Sequence, residues 1–145
     1  MASLIYDNAK KAFLDGTITS GSTIKAMLVG TGYTADASHV YVSSASGYEL
    51  SGTGYAGGYG GSGRKTLASK TVTVDSVESR AVFDAADLTW TSISAGTAAA
   101  VVLVVETGGS DATSLLVAYC DIPDYVTDGG NLAVTWPDSG IFWLG

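Results

Sequence analysis

From Ile24 onward the apolar residues of this chain recur at every second position, in short runs broken by Gly, Ser, Asn and Asp. A two-residue period puts alternate side chains on opposite faces of a strand, whereas a helix needs a period of 3.6. The runs are Ile24–Val29, the weaker Val40–Val42 and Glu49–Leu50, then Thr71–Val74, Arg80–Asp84, Leu88–Trp90, Ala98–Val105, Leu115–Cys120, Leu132–Trp136 and Ile141–Leu144. Strands repeated at such short spacing, with turn signals such as Thr107–Asp111 and Asp128–Asn131 between them, predict an all-β fold. The expected architecture is a single antiparallel β-sandwich or barrel-like domain spanning residues 1–145, with one short N-terminal helix.

Two runs, Ala98–Val105 and Leu115–Cys120, are apolar on both faces and should be central strands. In Thr71–Val74 the valines Val72 and Val74 are expected to point inward. Leu88 and Trp90 should share one buried face, and Leu132, Val134 and Trp136 another. The helix is predicted over Leu4–Leu14, where Leu4, Ile5, Ala9, Ala12 and Phe13 share a face. Ser3 is placed to cap its start and Gly16 to end it in a left-handed conformation. Lys10 and Lys11 lie toward its C-terminal end, where the helix dipole favours cations.

Charge narrows the function classes. Only 14% of the 145 residues are charged, and the net charge is −7. All seven Lys and Arg lie at or before Arg80, and eight acids with no base follow it. Nucleic-acid binding needs clustered bases, so it is not expected. The acids after Arg80, including Asp121, Asp124 and Asp128, are read as turn residues bonding local backbone; a hard-cation site is the sharper alternative, but their spacing matches no calcium loop. Two unlike surfaces that steer subunits together are the other meaning of the asymmetry. No apolar run reaches membrane-spanning length, and no basic stretch followed by an apolar core opens the chain. The expectation is therefore a soluble protein made in a cytoplasm.

Catalytic and cofactor motifs are thin. One Cys and one His cannot supply a typical zinc site. Cys120 sits in an apolar strand and reads as a small buried thiol, and His39 as an exposed loop residue. Gly52, Gly54 and Gly57 match G-x-G-x-x-G, but a β-type run follows where a dinucleotide site needs a helix. Gly58–Gly63 with Lys65 and Thr66 imitates a phosphate loop, and Arg64 breaks its register. No enzyme, cofactor or metal is expected.

The Gly- and Tyr-rich stretch Ser51–Thr66 reads instead as a mobile loop. Its Tyr55 and Tyr59 are candidates either for protein contact or for shielding a sheet edge. At the C-terminal end, Pro137–Gly140 predicts a turn before Ile141–Leu144. There Ile141 and Trp143 face one way, and Phe142 and Leu144 the other. A closing strand apolar on both faces is either central in the fold or packed on another subunit. Ile141, Phe142, Trp143 and Leu144 are thus further contact candidates.

Taken in order, several segments resemble a family of small structural proteins of tailed bacteriophages. They are Tyr6–Gly16 (YDNAKKAFLDG), Thr23–Val29 (TIKAMLV), Tyr33–Thr34, Ser51–Tyr55 (SGTGY), Lys70–Asp75 (KTVTVD), Phe83–Trp90 (FDAADLTW) and Thr135–Phe142 (TWPDSGIF). The stretch Gly57–Gly63 is longer than the corresponding loop of that family. The resemblance implies a virion protein of the head-decoration kind, made in the host cytoplasm. Its partners would be the major capsid protein or other virion proteins, and it would form a homo-oligomer, trimers at three-fold sites being one arrangement. It brings no catalytic residue with it. A tail, neck or head-fibre component is the alternative within the virion. A carbohydrate-binding module stacking sugars on Tyr55, Tyr59 and Trp143 is the alternative outside it.

Overall fold

Strands β1 (Leu4–Ile5), β2 (Lys25–Val29), β3 (Lys65–Thr66), β7 (Gly96–Val105) and β8 (Leu115–Thr127) form the largest sheet, in the order β1-β8-β7-β2-β3. The computed structural model describes residues 1–145. A three-stranded sheet, β10-β5-β4, joins β4 (Thr71–Asp75), β5 (Arg80–Asp84) and β10 (Phe142–Leu144). A two-stranded ribbon pairs β6 (Leu88–Trp90) with β9 (Leu132–Val134). Every pairing is antiparallel. One continuous cluster of buried side chains runs through all three sheets, so they enclose a single core in a sandwich-like all-β fold.

The two strands apolar on both faces sit where that pattern requires. β7 lies between β8 and β2, and Ala98–Val104 is buried throughout. β8 runs seven residues beyond Cys120, through Pro123. The register with β7 shifts between Ala98 and Ala100, which leaves Ile122, Pro123 and Asp124 opposite Ala99 alone. A bulge of this kind accommodates a residue that has no N–H for the ladder. Asp121 and Asp124 are therefore exposed strand positions and not turn residues. Asp128 does stand in the following turn, where it accepts from the Gly130 N–H at 3.4 Å.

Residues 4 and 5 depart from the expected helix. Leu4 and Ile5 form β1 against Tyr119 and Ala118, flanked by backbone bonds from Ser3 N–H to Tyr119 and from Tyr6 N–H to Val117. Covering the edge of β8 in this way satisfies its backbone groups, which outweighs two more residues of helix. α1 then spans Asp7–Asp15, with Tyr6 at its N-cap and no side-chain cap. Gly16 ends it at φ +80°, the left-handed conformation expected of it. Lys10 and Lys11 pair with Asp7 and Asp15 at 2.9 and 2.7 Å on the exposed side. The expected strand at Val40–Val42 is reduced to a single bridge, Tyr41 to Leu115, followed by one helical turn, α2 (Ser43–Ser46).

The largest disagreement is at β4. Val72 and Val74 are 57% and 82% exposed, not inward. Their alternation is as expected, since both share a face with Ala81, Phe83, Phe142 and Leu144 through the registers of β4 with β5 and of β5 with β10. Phe13 of α1 packs on Phe142 at 5.6 Å between ring centroids, but this cover stops short of the valines.

Candidate functional site

The Gly- and Tyr-rich stretch is fastened, not mobile. Its anchor is Arg64, whose side chain is wholly buried. Nε and Nη2 donate to the two carboxylate oxygens of Glu49 at 2.9 and 2.7 Å. Nη1 and Nη2 donate to both oxygens of Asp111 at 2.7 and 3.0 Å, and Nη1 also donates to Glu106 at 3.1 Å. All five guanidinium N–H groups are thus used, in two forked pairs and one single bond. Burial works against the charge of Arg64, but the bonds to Glu49 and Asp111 prevail and raise its pKa above the ordinary value.

The carboxylates in turn hold the loop. Glu49 Oε2 accepts the N–H of Gly58 at 2.9 Å, and Glu106 Oε1 accepts that of Gly60 at 3.0 Å. These are backbone donors of the kind a phosphate loop offers to an anion, and here the protein's own carboxylates take them. Lys25 completes the group, 2.6 Å from Glu106. Tyr55 belongs to the same network. It is 1% exposed, donates to Glu49 at 3.0 Å and accepts the Leu28 N–H at 2.9 Å. Its ring also lies so close to Gly63 that a Cβ there would fall 2.6 Å from it. Tyr55 is therefore a buried clamp and offers no contact surface, whereas Tyr59 is 41% exposed.

Glu106 makes the clasp sensitive to acid. Burial alone would raise its pKa, but the Lys25 ammonium, the Gly60 N–H and Arg64 together lower it from 4.5. The folded state therefore takes up this proton less readily than the unfolded chain. Its contribution to stability is complete above 4.5 and is lost as the pH falls through the lowered value. Urea midpoints measured from about pH 6 to pH 3 should fall, and Glu106→Gln should flatten part of that fall.

Other titratable groups in the interior are hydrogen-bonded to one another or shielded by burial. Tyr6 is fully buried and hydrogen-bonded to Tyr33 at 2.8 Å, and Tyr33 contacts His39 Nδ1 at 3.2 Å. His39 is thus half-buried and partnered, not a free loop residue. Burial, reinforced by Tyr33, raises the Tyr6 hydroxyl well above its usual range, so it stays protonated. Cys120 is completely buried, which pushes its thiol up to about 12 and leaves no thiolate for nucleophilic chemistry near neutral pH.

At the C-terminal end the candidates divide. Ile141 is completely buried and is withdrawn from contact, while Phe142 is 4% exposed, stacked on Phe83 at 4.7 Å, and reaches the surface only as part of the floor of a hollow. β10 is an edge strand, not a central one, and Phe142 is covered from within the chain. Trp143 remains 39% exposed, with the Arg80 guanidinium 4.2 Å from its ring centroid. Leu144 is half-buried.

The surface that stays open is the neighbouring sheet face. Val72, Ala81, Phe83, Phe142 and Leu144, with Phe13 at one end, line a shallow hollow of about 150 Å³. Exposed Val74 lies on the same face of β4, and exposed Leu14 follows Phe13 at the end of α1. Sequence reasoning missed this surface and the Arg64 clasp. The available signal for the clasp was Arg64 itself, the first charge after the Gly-rich run Ser51–Gly63, which carries none.

No family model matches the chain, and no curated protein or solved structure does either. No helix is long and apolar enough to cross a membrane.

Proposed function

We propose that this chain is a structural protein of a tailed-bacteriophage virion, acting by adhesion and not by catalysis. In the most specific form of that reading it is a decoration protein that binds the assembled head. The ordered segments from Tyr6 to Phe142 that resemble such proteins support it. The observation that carries it is the apolar sheet face left in water at Val72, Val74 and Leu144, beside the hollow floored by Phe83 and Phe142. Contiguous exposed apolar surface on a folded domain marks a place where another protein docks. A capsid lattice repeats one site many times, and a ligand that binds only the assembled shell stabilises that shell by linkage. The clasped loop suits the same role, because a preorganised surface loses little conformational freedom on docking.

The sugar-binding alternative draws less from the geometry. Of its three aromatics, Tyr55 is buried and Trp143 already carries Arg80 against its ring, which leaves Tyr59.

The test is co-sedimentation with DNA-free heads and with detached tails of a tailed phage that encodes this chain. Saturable pelleting with heads, weakened by Leu144→Lys in a variant whose circular dichroism is unchanged, is the expected result. Binding to tails but not to heads would overturn the decoration reading.

A further inference from the structure

We infer that two copies of this chain pair edge to edge through β4, antiparallel and centred on Thr73, joining their three-stranded sheets into one of six strands.

A sheet edge is a row of unpaired backbone donors and acceptors. Folded proteins blunt such edges by keeping them short, bending them with bulges, or placing Lys or Pro in them. The other outer strands here follow that rule. β1 and β3 have two residues each, and β6, β9 and β10 have three each. β4 does not follow it. Its five residues pair with β5 on one side only, in a register without a shift, and include neither Lys nor Pro. Thr71–Val74 are all exposed, and Val74 is 82% exposed.

The sequence of the edge specifies its occupant. A two-fold axis through Thr73 sets Val72 opposite the Val74 of the second copy, Thr73 opposite Thr73, and Thr71 opposite Asp75. This register pairs all five residues. Both valine pairs fall on the apolar face, and cross-strand pairs of β-branched residues stabilise a ladder. The only charge in the strand, Asp75, meets a threonine instead of its own copy, and it is already held by Arg80 at 3.1 Å. An isologous contact must be self-complementary in this way.

The joined sheets would present one apolar face of double width. A five-residue edge falls short of the roughly 800 Å² per partner of a standard interface, so the association is weak and concentration-dependent. None of this relies on the virion reading, and it is tested on the purified protein alone.

Two measurements test it. Thr73→Cys should form a disulfide-linked dimer under mild oxidation, because residues facing each other on the axis have Cα atoms about 4.5–5.5 Å apart. Val72→Cys and Val77→Cys should cross-link far more slowly, the first because its own copy lies two positions away along the ladder, the second because it lies outside the strand. The native Cys120 is buried and does not compete. In sedimentation velocity the wild-type chain should pass from monomer to dimer as concentration rises. Val74→Lys should weaken this about tenfold or more, and Val77→Lys, at an equally exposed position, should leave it unchanged. Equal cross-linking of the three cysteine variants, a wild-type chain that stays monomeric at every concentration, or equal weakening by both lysines would overturn the proposal.

Discussion

Arg64→Ala should lower the unfolding free energy by about 3–5 kcal/mol, the range seen when one partner of a buried ion pair is removed. The effect is large because the guanidinium is the common partner of Glu49, Glu106 and Asp111, whose side chains are only 4%, 10% and 18% exposed. Without it three carboxylates crowd together, with Lys25 beside Glu106 alone. Arg64→Lys should recover little. An ammonium keeps the charge but cannot make two forked pairs, and its compact head cannot reach five acceptor positions at once. The loss should also shrink in acid. Glu106, whose pKa in the wild type is lowered with the help of Arg64, loses its negative charge in acid, so the urea curves of wild type and Arg64→Ala should draw together as the pH falls. A constant gap at all pH values would mean that Arg64 contributes only by packing. A second consequence is local. The amides of Gly58 and Gly60, now bonded to Glu49 and Glu106, should exchange with solvent deuterium faster in the variant.

Trp90→Ala should cost a similar amount, about 3–5 kcal/mol, by emptying the largest fully buried side-chain position in the core. Trp90 has a second role that Trp90→Phe isolates. Its indole N–H donates to the Gly63 carbonyl at 2.7 Å and so ties the β6-β9 ribbon to the residue preceding Arg64. Phenylalanine keeps most of the apolar volume but leaves that buried carbonyl without its donor, a loss of about 1–3 kcal/mol. If the tie matters, Trp90→Phe should speed amide exchange in Gly58–Gly63 more than a cavity of equal cost made elsewhere, such as Leu103→Ala in β7. Calorimetric or urea unfolding gives the totals, and exchange gives the location.

The contact candidates show how far local pattern reaches. Alternation correctly put Leu88 with Trp90, and Leu132 with Val134 and Trp136, on buried faces, because those runs lie over the core. The same rule applied to Thr71–Val74 found the right pair of valines and the wrong side of the interface. Tyr55 and Tyr59 stand four residues apart in one Gly-rich stretch, yet one is sealed under Glu49 and the other is open to water. At the C-terminal end, Ile141 and Phe142 turned inward, while Trp143 stayed accessible beside Arg80. Pro123 concealed the second half of β8, since a proline in a strand pattern argues against a strand unless a bulge is there to receive it.

Sequence alone was enough to determine the all-β class, the two central strands, the Gly16 helix stop and the turn before the closing strand. Each follows from neighbours a few residues apart, through period, propensity or backbone freedom. The Arg64 clasp and the uncovered β4 face were decided only by tertiary structure. Arg64 finds its acids 15, 42 and 47 positions away, and no local pattern records which distant carboxylates will converge on a buried base. Likewise, periodicity states which residues share a face of a strand, while whether that face is covered depends on where the rest of the chain has gone.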